Sequence, residues 1–169
     1  MEYIRKMAFL TLLLFSFAAC NDGADVRGIP GPAEVEAVTD FSGSLEESAE
    51  ELERQGYKTF LMEEGETTYL MQQYYMVFLK RGATRNQDST EAERLQREHL
   101  EHLSRMAREG YASLIGPMAD DGELRGIVVF NTPTQEMADS LARLDPMVQA
   151  GRLEVEVHPW WTAKGGKLE

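Results

Sequence analysis

Between Tyr74 and Leu79, apolar side chains occupy both alternating sides of one extended run. Tyr74, Met76 and Phe78 lie on one side; Tyr75, Val77 and Leu79 lie on the other. Successive residues of a strand point to opposite faces, so a strand apolar on both must have something packed against each. The run extends from Thr68 to Lys80 and is rich in Tyr, Met, Val and Phe, which marks it as the central strand of a sheet. A shorter strand-like run, Tyr57 to Met62, precedes it across a turn at Glu64-Gly65.

What packs on that strand is written further along. Ala92, Leu95, Leu100, Leu103, Met106 and Ala107 recur at the helical period and predict an amphipathic helix from Glu91 to Glu109. Thr90 with Glu93 three residues on opens it, and Gly110 stops it. Tyr111 to Ile115 and Leu124 to Asn131 read as two strands joined across Ala119-Asp120-Asp121-Gly122. Thr132-Pro133-Thr134-Gln135 opens a second helix, with Pro133 at its first position, and that helix ends near Leu144. In the last strand Leu153, Val155 and Val157 face one way, and Arg152, Glu154, Glu156 and His158 the other. The order strand, helix, strand, strand, helix, strand is the split βαβ pattern: an α+β, ferredoxin-like fold with both long helices on one sheet face.

The front of the chain reads differently. Arg5 and Lys6 precede an apolar stretch from Met7 to Ala19, which closes on Phe17-Ala18-Ala19-Cys20. The stretch is too short for the roughly 20 helical residues that span a bilayer. It resembles a bacterial lipoprotein signal peptide ending in a lipobox, with Phe17 in place of the usual Leu; an ordinary secretory signal or a short buried helix is the alternative. The resemblance implies lipidation of Cys20, and so a cell-envelope protein anchored by lipid to a bacterial membrane, on its periplasmic or surface side. Residues 21–56 are then a linker. Gly23, Gly28, Pro30, Gly31 and Pro32 make its first part a tether, and Ser44-Leu45-Glu46-Glu47 caps a short acidic helix that runs to about Gln55 before Gly56. Residues 57–169 form one domain with one core. Cys20 is the only cysteine, so that domain has no internal disulfide. The formal net charge of −12 repels phosphate backbones and excludes nucleic acid as a partner.

The candidate chemistry centres on His99, which falls near the middle of the first long helix's apolar stripe, with His102 near the rim. A buried imidazole needs a hydrogen-bond partner, and the best one lies in Asp145-Pro146. Taken alone, His99 reads as readily as a satisfied core histidine, and Asp145 as the cap of a short turn from Met147 to Ala150. No His-Glu-x-x-His order occurs and no glycine-rich phosphate loop is present, so neither a metal nor another cofactor is expected.

The His99 helix, Gly116-Pro117, Asp145-Pro146, Gly151 and Val157-His158-Pro159-Trp160 stand together in one order and spacing. In that combination the chain resembles the YCII-related (YciI-like) family over about Tyr74 to Trp161, most specifically in His99-Leu100, Gly110 and Gly116-Pro117. The resemblance implies a ferredoxin-like domain that dimerises sheet to sheet into a dimeric α+β barrel. It also implies a His–Asp active-site pair, here His99 and Asp145, and a lyase or isomerase related to dehydrochlorinases and muconolactone isomerases. A small-molecule cleft is expected beneath the His99 helix, with Tyr74 and Gly116 among its walls and Arg85 meeting an anionic substrate group. The alternative is a non-catalytic dimeric module that holds a ligand or a partner on the same anchor.

Overall fold

The computed structural model describes residues 43–168. The expected signal peptide, Cys20 and most of the tether lie outside the described residues. The chain then runs α1 (Leu45–Arg54), β1 (Thr59–Glu64), β2 (Thr67–Arg81), α2 (Ser89–Arg108), β3 (Ala112–Pro117), β4 (Leu124–Phe130), α3 (Gln135–Arg143), α4 (Pro146–Gln149) and β5 (Leu153–Ala163).

β2 is central, and all its pairings are antiparallel. Met71–Arg81 pair with the whole of β5, Tyr75–Lys80 with β4, and Thr67–Gln72 with β1. Met71 and Gln72 are paired to β1 and β5 at once, so β1 and β5 lie on opposite sides of β2. β1 and β4 therefore share the other edge, end to end. β3 closes the sheet against β4. It runs parallel to β2 and is reached through α2, while β5 runs parallel to β4 and is reached through α3. These are the two interleaved βαβ units of a ferredoxin-like fold.

The core lies between the sheet and its helices. Tyr75, Val77, Leu79, Val128, Phe130 and Leu153 from the strands meet Leu95, Met106, Ala138, Ala142 and Met147 from the helices. The opposite face carries Met76, Phe78, Ile127, Leu114 and Trp160; Leu114 is 42% and Trp160 39% exposed. At its β1 end that face is closed: Leu70, Gln72 and Tyr74 are buried. There α1 packs on β1 and the first half of β2, and Thr59 Oγ1 donates to Glu53 of α1 at 3.1 Å.

Two expected helix starts move. The cap of α2 is Asp88, whose carboxylate accepts from Glu91 N at 2.9 Å, and not Thr90. Aspartate is the stronger cap, and an earlier start adds half a turn. α3 is capped by Thr134, which accepts from Met137 N at 3.2 Å, so Pro133 stands before the helix and not inside it. The residue before a proline is disfavoured in the helical region, so the helix does not start at Thr132. The Ser44 capping box forms as the sequence indicates. β5 is longer than the alternation suggested, because β2 offers it a partner as far as Ala163. Pro159 sits within it, tolerated on an edge strand whose outer side needs no donor.

Candidate functional site

The stripe that α2 buries is Leu95, His99, His102 and Met106, at spacings of four, three and four residues. Leu103 and Ala107 are only partly covered. The helix is rolled toward His102 relative to the stripe read from the sequence, because α4 packs along that flank.

α4 is one turn long and exists because of its cap. Asp145 Oδ1 accepts from Met147 N at 2.8 Å, and Pro146 follows in the first helical position. The other carboxylate oxygen reaches across to α2, where Asp145 Oδ2 lies 2.5 Å from His99 Nδ1. Asp145 is 2% exposed and His99 9%. Capping and pairing are thus two uses of one carboxylate. A carboxylate only accepts, so Nδ1 carries a proton, and in the neutral ring the lone pair is then on Nε2. Among the described residues Nε2 has no hydrogen-bond partner, and it is not sealed from solvent.

His102, one turn on, is a neighbour that helical-wheel reasoning placed only at the rim. It is 5% exposed; Arg105 Nη2 donates to its Nδ1 at 3.1 Å, and its other nitrogen faces the Leu141 carbonyl. Burial pushes its pKa below the usual histidine value, aided by Arg105 and His99, while the Asp145 charge opposes the shift. His102 is therefore held neutral in the fold while the unfolded chain protonates it below about pH 6.5. The folded state binds fewer protons there, so stability falls as pH drops from about 6.5 toward the lower pH at which folded His102 takes its proton. Replacing His102 with Gln, which can still donate to Leu141, should flatten that fall in urea midpoints measured from about pH 7 to 5. An unchanged pH slope in the variant would show that His102 is not its source.

The remaining expected residues lie elsewhere. Tyr74 and Gly116 point to the sheet face opposite the helices, paired with Trp160 and Ile127, so they do not meet His99 within the chain. Arg85 is exposed in the loop after β2, where its Nη1 donates to the Arg152 carbonyl at 3.2 Å. His158 is on the open face against Phe78, its Nε2 2.7 Å from Glu156. A groove of about 780 Å³ runs outside α2, lined by His102, Arg105, Arg108, Leu144 and Pro146, and neither His99 nor Asp145 is among its lining residues. Among the described residues no three His, Cys, Asp or Glu side chains converge as a metal site requires.

A protein-family model described as the YCII-related domain matches residues 74–161. α1, β1, the first half of β2 and the end of β5 fall outside the match. Among solved structures the chain is similar to a muconolactone isomerase, at 23% identity over 52% of this chain and 86% of that one, with a TM-score of 0.43. It is also similar to the 5-chloro-2-hydroxyhydroquinone dehydrochlorinase of Burkholderia phenoliruptrix AC1100, solved in complex with 2,5-dihydroxybenzoquinone. There the identity is 16%, over 52% of this chain and 92% of that one, with a TM-score of 0.41. No curated protein matches the sequence.

Proposed function

The chain belongs to the YCII-related family, and from that premise we propose that its domain is a small-molecule lyase or isomerase in which His99 exchanges the proton and Asp145 orients it. The observation that carries the reading is the 2.5 Å contact between His99 Nδ1 and Asp145 Oδ2 in a buried setting. The contact fixes the tautomer and leaves Nε2 as the base. Imidazole is the side chain most often used to take and return a proton in catalysis. Removing a proton from a carbon beside a carbonyl leaves a carbanion. Returning that proton elsewhere is an isomerisation; expelling a leaving group is a lyase reaction. In both, the imidazolium formed at Nε2 is stabilised by the carboxylate already bonded to Nδ1.

We further infer that the domain works as a homodimer, tethered through lipid on Cys20 at the envelope face of a bacterial membrane. The lipobox-like segment supports the tether. Among the described residues no helix is long and apolar enough to cross a membrane.

The test uses the compounds named for the similar structures, muconolactone and 5-chloro-2-hydroxyhydroquinone, as first probes, followed by related lactones and halogenated phenols. His99→Asn should lower kcat on any turned-over probe by about 10²–10⁴, the range of a positioned acid–base group. Turnover unaffected by His99→Asn would remove His99 from the chemistry. Binding without turnover in the native chain would favour the non-catalytic module.

A further inference from the structure

On the sheet face away from His99, three polar residues are linked in a chain. Lys164 Nζ donates to Gln72 Oε1 at 2.9 Å, and Gln72 Nε2 donates to Asn131 Oδ1 at 2.6 Å. Gln72 is 0% exposed, and its orientation is set by having a donor on one side and an acceptor on the other. Lys164 is pinned by its own backbone, whose N–H donates to the Leu70 carbonyl at 2.8 Å. It stands at the far end of β5 from Glu154 and Glu156, six residues beyond His158, which is roughly 20 Å along a strand. Gln72 and Lys164 lie just outside the family-matched region, on either side of it, and Asn131 lies within it.

We propose that Lys164 is a nucleophilic amine that takes small aldehydes and ketones, held in place by Gln72 and Asn131. An ordinary surface lysine is an ammonium stabilised by water or a carboxylate. Lys164 is half-buried against a neutral amide oxygen; burial pushes its pKa down, and no neighbouring charge opposes that. Lys80 is the contrast: bonded to Glu156 at 2.9 Å, its pKa is raised. Lys58 and Lys167 are exposed. A desolvated lysine spends more time as the free amine, the form that reacts with carbonyls. The Nζ lone pair forms a bond to the carbonyl carbon, and the oxygen takes up a proton to give a carbinolamine. Nζ, having passed one hydrogen to that oxygen, gives up its one remaining hydrogen as the hydroxyl leaves as water, and the resulting imine takes a proton to become the iminium.

The experiment treats the full chain with propionaldehyde and cyanoborohydride, which delivers hydride to the iminium and traps it as a stable secondary amine. Peptide mass spectrometry then gives the rate at each lysine. Lys164 should be alkylated several-fold faster than Lys58 and Lys167, with Lys80 slowest. Gln72→Glu places a carboxylate against Nζ, stabilises the ammonium and should bring Lys164 down to the rate of the exposed lysines. Lys164 reacting no faster than Lys58 and Lys167 in the native chain overturns the proposal, and that result needs no variant to fold. A native preference that survives in folded Gln72→Glu removes Gln72 from it. Both readouts are independent of the His99 pair.

Discussion

Replacing Asp145 with Ala should destabilise the domain by about 2–4 kcal/mol. Two losses coincide at one side chain. The N-terminus of α4 loses its cap, typically about 1 kcal/mol, and a buried His99 loses its partner, about 1–3 kcal/mol. For a domain of this size that is a fall in melting temperature on the order of 10 °C. Asp145→Asn separates the two roles. Its side-chain oxygen can still accept from Met147 N, so most of the stability should return. Its NH2 then faces His99, which must present a lone pair at Nδ1 and move its proton to Nε2. The result is a stable protein whose base is in the wrong tautomer, and imidazole nitrogen NMR shifts report that directly. Asp145→Ala within about 0.5 kcal/mol of the native chain, the range of a neutral surface change, would mean that the carboxylate holds neither element.

The pair was legible in the sequence because each half carries a local reason to be where it is. His99 interrupts an apolar stripe, and Asp-Pro after a helix end marks a new cap. Their meeting then needs only that both helices cover one sheet face, which the element order requires. His102 was harder. The breadth of a helix's buried face depends on what docks beside it, and a one-turn helix such as α4 adds a flank that no helical wheel contains. That Tyr74 and Gly116 stand on the face away from His99 was hidden for a related reason: a strand apolar on both faces does not disclose which face receives the helices. The parity is settled by Tyr75, Val77 and Leu79, whose neighbours Val128 and Leu153 complete the core. The Lys164–Gln72 contact joins residues 92 apart through strand register alone, and neither residue type signals it. The end-to-end placement of β1 and β4 likewise follows from the register of β2, which has room for both because it is 15 residues long.

Leu114→Asp combined with Trp160→Asp should turn a dimer into a monomer while leaving the fold of each chain intact. Met76, Phe78 and Ile127 are only partly covered at the centre of the open face, with Leu114 and Trp160 still more exposed beside them. Contiguous apolar patches beyond a few hundred Å² are uncommon on monomers. In the proposed homodimer a second copy of the same face would cover the patch in a two-fold, self-complementary contact. Leu114 and Trp160 are the right positions to charge because they contribute little to the core of one chain. Loss of one buried Leu contact weakens association by about 1.5–3 kcal/mol, and an unpaired carboxylate in its place costs more. Together the two changes should raise the dimer Kd by at least about 100-fold, since each 1.4 kcal/mol is a factor of ten. Sedimentation of the native domain as a monomer at high micromolar concentration would end the dimer proposal. An unchanged Kd in the double variant would instead move the interface to another surface. The apolar arm formed by Phe60, Met62, Tyr69 and Trp161 is the alternative, because Phe60 and Trp161 meet there edge to face and stay exposed, on the same side of β2 as Tyr75 and Val77.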